Sequence, residues 1–308
     1  MAPRFERELM GSVLVTGGSG FLGSRLKLIK PDWIYASSKD CNLLDFRDTL
    51  RFFSLHRPSA VIHLAARVGG IKDNANNQAE YFFQNTVMNT NVIHASSVLN
   101  IPRVLSSLST CAFPDTVSNY PFTEDDLFGG PPAKTNFSYG ITKRALHAQT
   151  IAYREQYDLN YSSFCPSNLY GPGDNYDPDS SHFVASLIRK LSSAKNGDVI
   201  ELWGTGAPLR QQLYIDDLCK IIPNLLDKHN SDKPLIVANN ENLSIKEMAH
   251  IAKNSLDKDV TFSFNGKYEG QYRKDGSNNQ LIQLIGDYDF TKFKDGVKNT
   301  YNWYLENR

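Results

Sequence analysis

Two textures alternate along the first half of the chain. The runs Ser12–Thr16, Trp33–Ser37, Ala60–Leu64, Arg103–Ser107 and Tyr161–Cys165 are short, bounded by loop residues and mostly β-branched or apolar. That is the pattern of parallel strands covered on both faces. Between them lie stretches with helical spacing: one reaching about Lys30 and stopped by Pro31, one from about Gln78 to Leu99, and one from about Ser138 to Tyr157. Strands and helices in alternation predict an α/β fold, a parallel sheet with right-handed crossovers and helices on both faces. After Pro166 the texture changes, and residues 166–179 are crowded with Pro, Gly, Asn and Asp. Ser244 to about Leu256 reads as a helix, with Ser244 and Glu247 at capping-box spacing, and Val260–Phe264 alternates like an exposed strand. The expected division is a large domain over 1–165 with 211–238, and a smaller mixed α/β domain over 166–210 with 239–308.

Composition narrows the picture. Lys plus Arg and Asp plus Glu are 33 each, so no basic excess favours a nucleic-acid backbone or an anionic membrane. The 308 residues are 41% hydrophobic, enough for a sizeable core. Cys41, Cys111, Cys165 and Cys219 are far apart and form no C-x-x-C pair, which points to a reducing compartment and gives no metal-ligand spacing. The opening segment carries charges and lacks the hydrophobic region of a signal peptide, and no apolar run is long enough to span a bilayer. A soluble cytoplasmic protein is expected.

The first strand runs into Gly17-Gly18-Ser19-Gly20-Phe21-Leu22-Gly23 and then a helix. The spacing alone is cheap, and a tight turn would also explain it. Its position between a buried strand and an apolar helix makes it a Rossmann-type dinucleotide loop, where missing side chains let the backbone approach a pyrophosphate at a helix N-terminus. At the end of the second strand stand Ser37-Ser38-Lys39-Asp40. Hydroxyls and a cation precede any acid, which favours a 2′-phosphate and hence NADP(H), although Asp40 argues the other way and Lys39 could be a solvated turn residue.

Tyr139 and Lys143 lie four apart on one helix face. A free tyrosine is a poor acid or base at neutrality; a neighbouring ammonium lowers its pKa, and such a phenol can pass a proton to a carbonyl oxygen while a nicotinamide delivers hydride. Ser109, beyond the fourth strand, is the candidate for orienting that carbonyl, with a self-satisfied serine-rich turn as the alternative.

The segments T-G-G-S-G-F-L-G (16–23) and Y-G-I-T-K (139–143) resemble the extended short-chain dehydrogenase/reductase family. Within it, H-L-A-A-R-V-G-G-I (63–71), L-S-T-C-A-F-P (108–114), P-S-N-L-Y-G-P-G-D-N (166–175), S-H-F-V (181–184), W-G-T-G-A-P-L-R-Q (203–211) and G-Q-Y-R-K (270–274) are similar to the GDP-L-fucose synthases. The resemblance implies NADPH-dependent conversion of GDP-4-keto-6-deoxy-D-mannose to GDP-L-fucose, usually by a homodimer. It assigns Ser109, Tyr139 and Lys143 to reduction, and Cys111 and His182 to an epimerising acid/base pair. It places Asn168, His182, Lys190, Trp203, Arg210 and Lys274 along the nucleotide sugar. Along the cofactor it implies Gly17, Ser19, Gly20, Phe21, Leu22, Gly23, Ser38, Lys39, Ala65 and Ala66, with Tyr139 and Lys143. Lys190 stands where some relatives have Arg, and Ser19 where some bacterial members use Arg.

The chemistry stands beside the resemblance. A C4 ketone acidifies the hydrogens on C3 and C5, and inversion needs a proton removed from one face and returned from the other. Thiol and imidazole have ordinary pKa values suited to that exchange; which of Cys111 and His182 gives or accepts each proton stays open at this level. The competing readings are a sugar-nucleotide 4-epimerase or dehydratase on the same scaffold, and a cofactor-binding protein without catalysis. A dehydratase would want acidic residues where Thr110 and Cys111 follow Ser109, and the intact Ser109, Tyr139 and Lys143 set argues against a non-catalytic role.

Overall fold

The computed structural model describes residues 11–267 and 269–308; the charged opening segment 1–10 lies outside the described residues. In chain order the elements are β1 (Val13–Thr16), α1 (Phe21–Ile29), β2 (Ile34–Ala36), α2 (Phe46–His56), β3 (Ala60–His63), α3 (Ile71–Asn76), α4 (Gln78–Val98), β4 (Arg103–Ser107), α5 (Phe137–Tyr157) and β5 (Asn160–Pro166). The second half holds β6 (Asn168–Tyr170), α6 (Phe183–Ser193), β7 (Val199–Leu202), β8 (Leu209–Tyr214), α7 (Ile215–Lys228), β9 (Leu235–Val237), β10 (Asn242–Ser244), α8 (Ile245–Ser255), β11 (Thr261–Phe264), β12 (Arg273–Lys274), α9 (Asn279–Ile285) and α10 (Phe293–Asn307).

The large sheet has six strands in the order β2-β1-β3-β4-β5-β9, and every pairing is parallel. Its apolar runs are continuous because both faces are covered. Leu14, Val61 and Val104 pack with Phe53 of α2, Val92 of α4 and Leu146 of α5. Val15, Ile62 and Leu105 pack on the opposite side with Leu26 of α1 and Leu218 of α7. Alternate residues of one strand thus enter two cores, as the pleat requires.

The smaller sheets are mixed. β8 pairs antiparallel with β10 and parallel with β12 and β6, while β7 and β11 form a parallel pair. Leu187 of α6, Met248 of α8 and Val297 of α10 share a separate core with Tyr170 and Phe293. The Ser244 helix starts as its capping box predicts, Ser244 and Glu247 exchanging hydrogen bonds.

Two assignments differ from the sequence-based expectation. Residues 211–214 belong by backbone pairing to the small sheet, not the large one. Their pattern misleads because Leu213 points into the core beneath the large sheet while its backbone pairs with β6. Conversely, Leu281 of α9, expected in the smaller domain, packs in the same large-sheet core as α7.

One buried cation locks the base of the large domain. Arg103, 3% exposed at the start of β4, donates from Nε to the Leu226 carbonyl (2.8 Å) and from Nη2 to those of Leu225 (2.9 Å) and His229 (3.0 Å). Its Nη1 donates to the carbonyls of Val104 and Asn160, both at 3.0 Å, and to Ser162 Oγ at 2.8 Å. Burial brings the guanidinium down to about 9. Its partners are the carbonyls at the end of α7, where a helix carries partial negative charge.

Candidate active site

The chain leaves β1 and goes to β2 on one side, then returns to β3 on the other, so the strand order reverses between β1 and β3. Open α/β sheets bind ligands outside the carboxyl ends of the strands at such a point. Gly17, with φ +73°, turns the chain there, and a Cβ on it would overlap the Ala65 backbone beyond β3. A Cβ on Gly23 would overlap the Gly17 carbonyl, so α1 can start against the loop only with glycine there. Gly20 is the N-cap of α1, in extended conformation and with no side chain bonded to the first-turn amides. Those amides and the positive helix end suit a pyrophosphate. Ser19 is exposed on this loop, Phe21 and Leu22 open the helix, and Ala65 and Ala66 line the β3 side. The residues present fit a dinucleotide.

At the end of β2, Asp40 turns back on its own loop. Its Oδ2 accepts from Ser37 N (2.8 Å) and Ser37 Oγ (2.6 Å), bonds that hold the carboxyl below its usual range. Ser38 and Lys39 are exposed beside it. The acid that would oppose a 2′-phosphate is thus engaged locally.

β4 ends in a single 3-10 turn, Thr110–Ala112, started by Ser109, whose Oγ accepts from Cys111 N at 3.2 Å. α5 runs alongside and presents Tyr139 and Lys143, both buried. Lys143 Nζ donates to the Ser107 carbonyl at 2.8 Å and lies 5.8 Å from the centroid of the Tyr139 ring. Burial brings the Lys143 ammonium down to about 8. The expected lowering of the phenol by Lys143 does not appear. Burial, then the negative charge available at Cys111, push the Tyr139 phenol well above its ordinary range, and the Ser109 hydroxyl opposes them only in part. The phenol is therefore protonated at neutrality, the form that can donate.

Cys111 carries the opposite perturbation. Burial raises the thiol, yet Lys274, Ser109 and Asn136 together bring it below its usual range. Lys274 Nζ is 3.0 Å from Sγ and Asn136 Nδ2 is 2.8 Å from it. Lys274 reaches the site from β12, placed by its pairing with Arg210 on β8. His182 is the N-cap residue of α6, with no cap bond from its side chain. Its surface is exposed, yet desolvation by its surroundings, then the Lys274 charge, hold its imidazole below the usual histidine range. Lys274 thus bears on both the thiol and the imidazole. Arg210 Nη1 donates to the Leu209 carbonyl at 2.7 Å; burial lowers its guanidinium, and Cys111 and Glu269 work against that.

The remaining candidates spread outward. Asn168 opens β6, half-buried. Lys190 donates to the Glu201 carbonyl at 2.6 Å, so its ammonium is turned toward β7, two residues before the half-exposed Trp203. A cleft of about 660 Å³ opens beside the site, lined by Thr135, Lys134, Tyr120 and the segment Glu269–Arg273, the chain neighbours of Asn136 and Lys274.

Several contributors were not read as site residues from the sequence. Asn136 is one. Another is a buried chain in which Thr16 Oγ1 meets His63 Nδ1 at 2.8 Å and His63 Nε2 meets Asn89 Oδ1 at 3.0 Å. Asn89 Nδ2 then donates to the Thr142 carbonyl at 3.3 Å, tying the glycine-loop strand to the helix of Tyr139. Burial first, and then the nearby Lys143 charge, bring His63 down to about 3, so it serves as a neutral strut. The Asn89 signal was available as a polar residue on the inner face of a long helix.

The family profile described as NAD dependent epimerase/dehydratase family matches residues 13–239. A probable GDP-L-fucose synthase of Drosophila melanogaster is 36% identical, covering 97% of this chain and 98% of its own. A GDP-L-fucose synthase of Dictyostelium discoideum is also 36% identical, with 96% of each chain covered. Among solved structures, a GDP-L-fucose synthetase from Naegleria fowleri bound to NADP superposes with a TM-score of 0.90 at 32% identity, over 100% of this chain and 98% of its own. With the glycine crevice, the Tyr139–Lys143 helix and the Cys111 turn in place, the chain belongs to the NAD dependent epimerase/dehydratase family and, within it, to the GDP-L-fucose synthases.

Proposed function

We propose that this enzyme converts GDP-4-keto-6-deoxy-D-mannose to GDP-L-fucose with NADPH, epimerising C3 and C5 through enolates and then reducing the C4 ketone. The observation that carries this reading is the Cys111 sulfur, 3.0 Å from the Lys274 ammonium, one turn beyond Ser109 and beside the helix of Tyr139. Proton exchange next to a ketone and proton delivery to its oxygen are thereby served from one turn. Ser109 and Tyr139 hold the keto oxygen, so that charge developing there on enolisation meets two hydroxyl donors. Cys111, favoured as thiolate, draws the proton from the neighbouring carbon, and His182 returns one on the other face. When bound in the glycine crevice, NADPH supplies hydride to C4. Tyr139 then gives its proton to the resulting oxyanion, while Lys143, anchored to the Ser107 carbonyl, stands behind it. Arg210, Lys190 and Trp203 serve the nucleotide end, where cationic groups suit a diphosphate, and Asn168 lines the sugar.

The test is to incubate the protein with NADPH and GDP-4-keto-6-deoxy-D-mannose and identify the nucleotide sugar. GDP-L-fucose is expected. Cys111→Ser, nearly isosteric but far less acidic, and His182→Asn should both slow deuterium uptake from solvent at C3 or C5, and release unepimerised 6-deoxy sugars because reduction survives. Wild-type exchange in both variants would remove them from the acid/base roles.

A homodimer through α4 and α5 belongs to the same reading. The two helices pack side by side, and Phe82, Phe83 and Tyr157 leave apolar surface exposed on them. Two-fold self-association is the commonest way to cover such surface. Sedimentation at micromolar concentration should give a particle of twice the chain mass; a single-chain particle would rule it out. A cytoplasmic location is supported by four cysteines that are all free.

A further inference from the structure

We propose that Asn136 is a positioning residue of the epimerising centre, its carboxamide donating to the Cys111 sulfur and fixing the direction of that side chain. This rests on the reading of Cys111 as a proton-exchanging group.

Asn136 is the N-cap residue of α5, a place where asparagine ordinarily accepts a hydrogen bond from the amides of the first turn. Here the side chain makes no such bond. Its Oδ1 instead accepts the Thr135 hydroxyl at 3.2 Å, which turns the NH₂ group outward, and Nδ2 lies 2.8 Å from Cys111 Sγ. A carboxamide nitrogen can only donate, so the contact favours the ionised sulfur over the protonated one.

The surroundings divide the work. The groups that lower the sulfur are Lys274 from β12, the Ser109 hydroxyl and Asn136, while Arg210 from β8, Tyr139 from α5 and Cys165 from β5 lie close enough to feel its charge. Lys274 brings charge, but on a long side chain carried by a two-residue strand. Asn136 is short and fixed to the start of a 21-residue helix. That helix lies hard against the cysteine turn, since a Cβ on Gly140 would overlap the Cys111 carbonyl. The ammonium supplies the field and the carboxamide supplies the direction.

The experiment compares Asn136→Asp and Asn136→Ala with the wild-type full chain. Aspartate has the same shape and caps helices as well as asparagine, but it presents an anion to the sulfur. Alanine deletes the donor where no cap bond exists to be lost. The readouts are the rate of Cys111 alkylation by iodoacetamide across pH, followed peptide by peptide with buried Cys41, Cys165 and Cys219 as references, together with thermal midpoint and C3/C5 deuterium exchange. In Asn136→Asp, alkylation near pH 7 should fall about tenfold or more, with the pH profile moved upward. Asn136→Ala should show a smaller loss in the same direction. Exchange should fall in kcat with KM for the nucleotide sugar and the thermal midpoint nearly unchanged. Wild-type alkylation profiles in both variants would overturn the proposal, as would a loss accompanied by new reactivity of the reference cysteines. If Asn136→Asp does not fold, Asn136→Ala decides on the same readouts. Full exchange in Cys111→Ser would instead defeat the acid/base reading, while the alkylation profiles still report whether Asn136 holds the sulfur.

Discussion

Tyr139→Phe should slow reduction of the C4 ketone by about 10²–10⁴-fold, the usual contribution of a positioned acid. The ring sits edge-on to Tyr81 with centroids 6.4 Å apart, a contact that phenylalanine preserves. The Lys143 bond to the Ser107 carbonyl does not involve the phenol, so the floor of the site should remain. NADPH should bind, as fluorescence titration would report, while its oxidation nearly stops. Deuterium uptake at C3 and C5 should survive better than reduction, because Ser109 still reaches the keto oxygen. Turnover within a few-fold of wild type would show that another group delivers the proton. The raised phenol adds a sign to the pH profile: Tyr139 stays protonated through neutrality, so the first of the reductive groups to change as pH rises is the Lys143 ammonium, brought down to about 8, and reduction should begin to decline there.

The second large effect lies far from the chemistry. Arg103→Met should cost about 3 kcal/mol of stability, since it removes several hydrogen bonds to a charged group, each typically worth about 1.5–3 kcal/mol. Methionine fills much of the volume but takes the donor from the Leu226 carbonyl, while those of Leu225 and His229 keep the His229 amide and the Ser162 hydroxyl. Arg103→Lys keeps the charge but has no fork to span those acceptors, so its loss should be intermediate. Urea unfolding followed by circular dichroism gives both values; a loss under about 1 kcal/mol would mean that water replaces the guanidinium readily.

What could be read from the sequence was whatever is settled within a few residues. The glycine loop declares itself because a positive φ at Gly17 and the close approach at Gly23 demand glycine at fixed spacing. Tyr139 and Lys143 declare themselves because one helix face joins them. The helices beginning at Gln78 and near Ser138 were placed almost to the residue by periodicity and flanking loops. What escaped depends on distant pairing. The backbone of β8 goes to one sheet and Leu213 to the core of the other, a division no local pattern expresses. The contact between Lys274 and Cys111 joins residues 163 positions apart. The phenol's protonation also escaped, because proximity in sequence to Lys143 says nothing of how deeply both are buried.

That long-range contact has a bearing on synthesis. Cys111 is made early, and on the ribosome it has neither its ammonium partner nor the sheet that presents it. It is then an ordinary thiol, mostly protonated and slow toward electrophiles and peroxides. Only when the last strands pair does Lys274 reach the sulfur and help bring it below its usual range. The nascent chain thus carries an ordinary thiol there, and the perturbation of the sulfur waits on the pairing of β12 with β8.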